Sequence, residues 1–466
     1  MENKTFQEFT QSFKGEVITS PTDSGYKASR LIFNMRPDAI PSMILRCIDV
    51  DDVITAVRYA GLNQFPIAVR SGGHGVDGSA MPDGAFVIDM TAMKRISVDE
   101  LTSTVKVQSG VLLGEMDQAT QAYRLVVPAG TVSTTGVAGL TLGGGIGYNM
   151  RKFGATVDSL LSCEVVTAAG AVVTANKDEN ADLFWALKGG GGNFGIVTEF
   201  TFQAHKLGPD VVSGIIVFPV QTAKETLSAL RNYMADAPRD LFVVGALAPC
   251  PPLPMIPLEA HGKPVLALVI VYTGDPLKAE KFVGPLGKLN TPLVNLVGPS
   301  TWIKTNQMLD ATAPYGMRAK TFGGYLSNLN PESVDVALAS ALSSPANFTQ
   351  ATVTVQNFWC MGGAISEDFS ENSAAFSREG ATWLWEAVAM WNEKSDDRIF
   401  DSWITDLNNQ MRPHLRSNGY INLTTDQGQQ WLRGIYGSQE KYERLVETKR
   451  KWDPTNMFRF NKNFAL

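Results

Sequence analysis

Three clusters of glycine, all before residue 200, constrain this chain more than any other feature. The first is Arg70-Ser71-Gly72-Gly73-His74-Gly75, extended by Gly78. The second runs from Gly130 to Gly147, and the third is Gly189-Gly190-Gly191-Gly192-Asn193-Phe194-Gly195. Glycine reaches backbone conformations closed to other residues and lets a ligand come close to the main chain. Successive loop N–H groups can then form a nest for phosphate oxygens. A domain with that many close-approach loops is expected to wrap an extended ligand with its backbone. For the first loop alone, a tight turn carrying a surface histidine is the other reading.

The segments around these loops have readable periodicity. Residues 51–61 read as a helix with acids in its first turn and Gly61 as its stop. The apolar run 66–69 reads as a buried strand feeding the His74 loop. Residues 85–90 give a second buried strand, Val105 and Val107 alternate in a third, and a helix is expected over Leu113–Tyr123. Residues 163–167 and 171–174 form a hairpin through Gly170, followed by a short helix 182–188 with Asn180 as N-cap. Gly190, Gly192 and Gly195 formally spell G-x-G-x-x-G. A helix precedes that motif and a strand follows it, the reverse of the dinucleotide-binding order, so that reading is rejected.

Composition changes near His205–Pro209, a domain boundary. Beyond it come strand candidates 212–218, 241–247, 265–272 and 351–358, and a helix 223–234 with Leu227, Leu230 and Met234 on one face. The apolar stretch 382–391 reads as a central strand, with a buried helix as the alternative. Residues 437–451 give a last helix, stopped before Pro454. Asn461 and Asn463 then share one side of an extended segment, placed for a ligand or for neighbouring backbone.

The chain's 466 residues exceed one ordinary core, so two domains are expected. Hydrophobic residues at 44% and charged residues at 18% suit a soluble globular protein. A formal net charge of -6 without a basic run argues against nucleic acid and anionic membrane as partners. The polar first residues carry no signal-peptide core and no apolar run reaches membrane length, so the expected location is cytoplasmic. Four scattered cysteines give neither a disulfide framework nor a zinc site, and the four histidines have no metal-binding spacing.

Taken together, the strand-Arg-Ser-Gly-Gly-His loop, Pro128-Ala129-Gly130 leading into Gly136…Gly147, Gly191-Gly192-Asn193-Phe194-Gly195-Ile196-Val197-Thr198 and Asp453-Pro454-Thr455-Asn456…Asn461 resemble the berberine bridge enzyme-like family. These are covalent flavoproteins of the vanillyl-alcohol-oxidase superfamily. Four motifs in the right order carry the resemblance, from about residue 15 to the end. It implies an α+β, two-domain PCMH-type FAD-binding fold, with an antiparallel-sheet substrate domain backed by helices. The FAD domain would take residues 1–205, the substrate domain 206–417, and 418–466 would return to the FAD domain.

The resemblance also implies roles for residues. His74 matches the histidine bonded to a methyl carbon of the flavin's benzene ring. Arg70, Ser71, Gly72, Gly73, Gly75 and Gly78, with Ser133, Gly136, Gly139, Gly143 and Gly145, match segments around the pyrophosphate and isoalloxazine. Ile196 and Val197 match backbone contacts near the adenine half, and Asn461 a C-terminal flavin contact. Doubly linked members carry a cysteine where this chain has Val132, so a single covalent link is expected.

The implied reaction is oxidation of a small organic molecule by hydride transfer to flavin N5, with O2 as acceptor and peroxide as product; a dehydrogenase using another acceptor and a redox-silent flavin protein are the alternatives. The family's carboxylate base, counted back from Gly362-Gly363, falls on Asn357, which cannot take a proton. Tyr420 is the substitute base expected from Gly419-Tyr420-Ile421-Asn422, a packed tyrosine being the other reading. Asn357 would then orient the substrate, and its loss would cost about tenfold or less without altering the pH profile. A monomer or homodimer is expected.

Overall fold

The computed structural model describes residues 5–19, 21–23, 25–252, 254–346 and 352–465. Two mixed layers of sheet and helix carry the glycine loops, and one large antiparallel sheet faces them.

The first sheet has four strands in the order Glu16–Ile18, Met43–Arg46, Phe86–Asp89, Ile67–Arg70. Its last three strands are parallel, Phe86 pairing with both Met43 and Ile67. Parallel strands are covered on both faces, which is why Phe86, Val87 and Ile88 are a continuous buried run. The helix Val50–Leu62 packs on this sheet through Val53, Ala56, Val57 and Ala60. It runs on to Leu62, one residue beyond the expected end, so Gly61 is helical rather than a stop. A Cβ there would come within 3.3 Å of Met457, and the missing side chain lets the C-terminal segment lie against the helix.

The second sheet has five strands, in the order Ile96–Asp99, Thr104–Gln108, Ile196–Gln203, Leu160–Val166, Val172–Asn176, all antiparallel. The hairpin through Gly170 is part of it. Asn180 does start the helix Ala181–Leu187, but with a left-handed backbone and no capping bond; its amide donates to Thr174 O instead. The pairing of His205–Lys206 with Leu125–Val126 keeps those two residues with the layers that carry the glycine loops.

From Asp210 the chain builds an eight-stranded antiparallel sheet. Trp383–Trp391 lies inside it, between Val353–Cys360 and Arg318–Leu326. Its near-unbroken apolar sequence therefore belongs to a strand buried on both faces; Ala351, the first residue of the expected 351–358 strand, lies outside the described residues. Helices Ala223–Ala235, Pro331–Leu342 and Asp397–Met411 cover one face, packing Leu227, Leu230, Ala337, Phe400 and Ile404 against Phe358, Trp385 and Trp391. The opposite face, with Phe242, Val244, Val269, Trp359 and Leu384, packs against Ile146, Tyr148 and Met150 of the second glycine cluster. After residue 418 the chain returns to the core beneath the glycine loops, where Leu432, Ile435, Tyr436, Leu445 and Phe464 join Phe194, Phe200 and Leu187.

A fully buried ion pair orders the last turn. Lys449 Nζ donates to Asp453 Oδ2, Asn193 O and Phe458 O, while Asp453 accepts the N–H groups of Met457 and Phe458. One lysine thus ties the third glycine cluster to the segment bearing Asn461.

Candidate active site

The strand Ile67–Arg70 ends in the His74 loop. Arg70 spends its guanidinium on Ser29 O, on Leu31 O and on the buried carboxylate of Asp89, so it braces the loop from behind. Ser71 Oγ donates to Ser109 O. Gly72 lies against the second cluster, where a Cβ would sit 2.2 Å from Gly136 N; two main chains touch only because neither has a side chain there. Gly73 and Gly78 have φ of 75° and 68°, the left-handed turns that bring His74 round.

His74 sits between two aromatic rings. Phe33 stacks on it with centroids 5.6 Å apart, and Tyr315 meets it edge-on at 4.9 Å. Thr134 Oγ1 lies 2.9 Å from Nε2. Burial pushes the imidazole down to about 4, against a smaller opposing pull from Asp310, so the ring is neutral at physiological pH.

The second cluster supplies the floor. Val132 and Ser133 lie on its first turn, half-buried, with Ser133 gripped by Asp310 through both its N–H and its hydroxyl. The interleaved apolar residues become a short helix, Val137–Leu142, that starts at Gly136. Gly139 is exposed and a Cβ on it would meet nothing within 4 Å, whereas a Cβ on Gly143 would collide with the Asn422 amide. Gly145, at φ 79°, lies against Thr156. Ile196 and Val197 bury their side chains in two different cores, leaving only backbone for a ligand. Asn461 Nδ2 donates to Gly192 O.

This cradle fits an FAD. Its glycines remove side chains along an extended path, its histidine is neutral, and several buried polar atoms in it lack partners. Asn149 has both amide atoms buried without a hydrogen bond among the described residues, as does Asn193 Oδ1. Unmet polar groups cost about 1–3 kcal/mol each, so they mark where polar ligand atoms or water sit. Among the described residues no three His, Cys, Asp or Glu side chains cluster to hold a metal ion.

Across the cleft, the sheet offers a group that sequence reasoning missed. Asn357 pairs directly with Glu386 on the next strand. Its Nδ2 donates to Glu386 Oε2 at 2.9 Å, and Trp359 Nε1 donates to the same oxygen at 3.1 Å. No described residue donates to Oε1. Burial pushes the Glu386 carboxyl above its ordinary range, while the two N–H donors pull it back. The residues beside it in cross-strand register, Gly323, Ala246 and Ala267, are small and leave room over the carboxyl. The signal in the sequence was a lone acid inside Thr382–Trp391, an otherwise apolar stretch. Its meaning depended on which strand lies beside it.

Tyr420 is buried beneath the same cleft, edge-on to Phe376, and accepts a hydrogen bond from Asn422 Nδ2. Burial raises its phenol to about 12, with the N–H groups of Ile146 and Gly145 and the Asn422 amide opposing, and the charge of Glu386 adding to the rise. Burial thus favours the neutral phenol, an O–H that can donate, over the base expected from the sequence. On this face of the sheet the carboxylate is that of Glu386, and Asn357 donates a hydrogen bond to it.

Comparison with known proteins places the chain in a family. Residues 41–176 match the FAD binding domain family and 419–464 the berberine and berberine-like family. The FAD-linked oxidoreductase hasG of Aspergillus fumigatus is 30% identical over 439 residues, covering 89% of this chain and 90% of its own. The chain belongs to the berberine bridge enzyme-like FAD-linked oxidoreductases. As a member of that family it is an FAD-dependent oxidoreductase. The (R)-6-hydroxynicotine oxidase of Paenarthrobacter nicotinovorans is 27% identical over 467 residues, 97% of each chain. Among solved structures, 6-hydroxy-D-nicotine oxidase from Arthrobacter nicotinovorans superposes with a TM-score of 0.88 at 25% identity, covering 99% of this chain and all of that one. BBE-like 1 of Physcomitrella patens gives 0.86 at 25% identity, covering 99% of each. The α+β, PCMH-type fold expected from the motifs is the observed one.

Proposed function

We propose that this enzyme is an oxidase whose FAD is held by one covalent bond, at His74, and that it oxidises a small organic donor at a carbon bearing a hydroxyl or an amine. The observation that carries the reading is Glu386, a buried carboxylate facing the glycine cradle across the cleft and held by Asn357 and Trp359. Bound FAD supplies a two-electron acceptor for the substrate carbon. The protein's own work is on the proton. As a carboxylate, Glu386 takes the O–H or N–H proton of the donor through Oε1, the oxygen that Asn357 and Trp359 leave free. Tyr420 donates its phenol hydrogen to the substrate heteroatom and keeps its own proton, as a phenol near 12 must at neutral pH. The packed aromatic rings of Trp359, Phe242, Tyr148 and Phe376 would keep water from that side of the site.

The named oxidase relative supports O2 as acceptor, and Val132 supports a single attachment. The redox-silent alternative drew its weight from an amide at the base position, and Glu386 removes that ground. The test has two parts. Acid-denatured protein should stay yellow, with flavin on the peptide containing His74. Anaerobic donors from hydroxylated and amine panels should bleach it, and readmitted air should return one peroxide per flavin. Reoxidation only by added quinones or dyes would transfer the assignment to a dehydrogenase.

A further inference from the structure

We propose that Tyr315 and Asp310, both on the substrate domain, are positioning residues for attachment of the flavin to His74. On this view the covalent bond forms efficiently only once the substrate domain has clamped the two flavin loops together. The inference rests on the reading of His74 as the attachment site and adds what makes that histidine competent.

The clamp is built from one short stretch. The Tyr315 hydroxyl hydrogen is shared between Gly72 O at 2.5 Å and Thr134 O at 3.1 Å, one carbonyl on each loop. Asp310 holds the second loop through Ser133, Oδ1 accepting the N–H at 2.7 Å and Oδ2 the hydroxyl at 2.6 Å. Thr134, bonded by Tyr315 and next to the Ser133 that Asp310 holds, fixes the imidazole by its contact with Nε2. The ring is then bounded by Phe33 on one face and the Tyr315 edge on another. With Nε2 occupied, Nδ1 is the nitrogen without a partner among the described residues. Burial keeps the ring neutral, so it has one lone pair, which lies on Nδ1 in the tautomer whose Nε2–H donates to Thr134 Oγ1. Every contact that sets its direction passes through Thr134, Phe33 or Tyr315, and Thr134 is itself held from the substrate domain by Tyr315 directly and by Asp310 through Ser133.

Attachment balances as follows. A C–H bond of the ring methyl and the imidazole N–H break, and a C–N bond forms. The two protons and two electrons released reduce the isoalloxazine, and dioxygen takes them from it as hydrogen peroxide. The protein's task is to hold the nitrogen at the methyl carbon, and orientation of this kind dominates rates of bond formation between bound groups.

The test reconstitutes full-length apoprotein with FAD and follows two quantities, total bound FAD and acid-stable flavin. Tyr315→Phe and Asp310→Asn should bind one FAD and keep the wild-type melting temperature, yet acquire acid-stable flavin about tenfold more slowly or worse, as expected for lost neutral or charge-assisted hydrogen bonds. Tyr233→Phe, whose hydroxyl bonds Phe282 O elsewhere in the same domain, serves as the control and should attach at the wild-type rate. Attachment at the wild-type rate in Tyr315→Phe and Asp310→Asn overturns the proposal. So does a parallel loss of total FAD binding, which would make the contacts ordinary domain docking. Wild-type protein without acid-stable flavin, or a His74→Ala variant that retains it, instead overturns the attachment site itself.

Discussion

Replacing Glu386 by Gln separates acid–base chemistry from shape. The two side chains are nearly isosteric, and the Gln oxygen can accept the same hydrogen bonds from Asn357 Nδ2 and Trp359 Nε1, now at 2.9 and 3.1 Å. What disappears is the capacity to take a proton. A positioned general base contributes about 10²–10⁴-fold, which at about 1.4 kcal/mol per tenfold is roughly 3–5 kcal/mol of barrier. The stability effect has the opposite sign. Burial raises the folded-state pKa of Glu386 above its unfolded value, so the folded state binds the extra proton more tightly. Stability therefore falls as pH rises from the ordinary carboxylate range through the raised pKa, and above that window the folded protein carries the full cost of a buried charge. A neutral Gln escapes this cost. Glu386→Gln should thus lower the anaerobic rate of flavin bleaching by at least about a hundredfold, while its melting temperature at neutral and alkaline pH equals or exceeds that of the wild type. Stopped-flow bleaching and thermal unfolding across pH are the assays. A variant that bleaches within a few-fold of the wild type at every pH would refute Glu386 as the base. A slow variant that is also destabilised would point to lost packing instead.

Asn357→Ala removes one donor to a charged oxygen, worth about 1.5–3 kcal/mol, so the Glu386 pKa rises further and the acid limb of the pH–rate profile moves to higher pH; this replaces the unchanged profile expected from sequence, and an unmoved limb would show that the bond does not tune the carboxylate. Gly143→Ala should drive out the Asn422 amide, whose Oδ1 would lie 2.1 Å from the new Cβ, and so release Tyr420; reduced FAD affinity by fluorescence titration checks it. Lys449→Met leaves Asp453 buried without its counter-charge, and breaking such a pair costs about 3–5 kcal/mol; loosened proteolytic protection of the C-terminal segment should accompany the lower denaturation midpoint.

Much of the flavin side was legible in the chain, because its determinants are local. A glycine at a left-handed turn such as Gly73, or at a contact between main chains such as Gly72 and Gly136, declares itself by being glycine. Periodicity likewise placed the helix Ala223–Ala235 and the hairpin through Gly170. Gly61 and Asn180 misled because their reasons lie elsewhere: one makes room for Met457, and the other bonds Thr174.

The substrate side was decided by tertiary structure. Asn357 and Glu386 are separated by 29 residues, and only antiparallel pairing sets them side by side. From sequence, the one acid in an apolar strand and the amide before Gly362-Gly363 were unrelated facts. Register made them a carboxylate and its donor. Burial then raised the pKa of the acid and kept Tyr420 protonated, and burial is a property of the packed fold that no local pattern states. The sequence by itself determined where backbone approaches a ligand, since that needs only the absence of a side chain. Which polar groups stand side by side on the substrate face was left to the fold, since that needs two strands and their register.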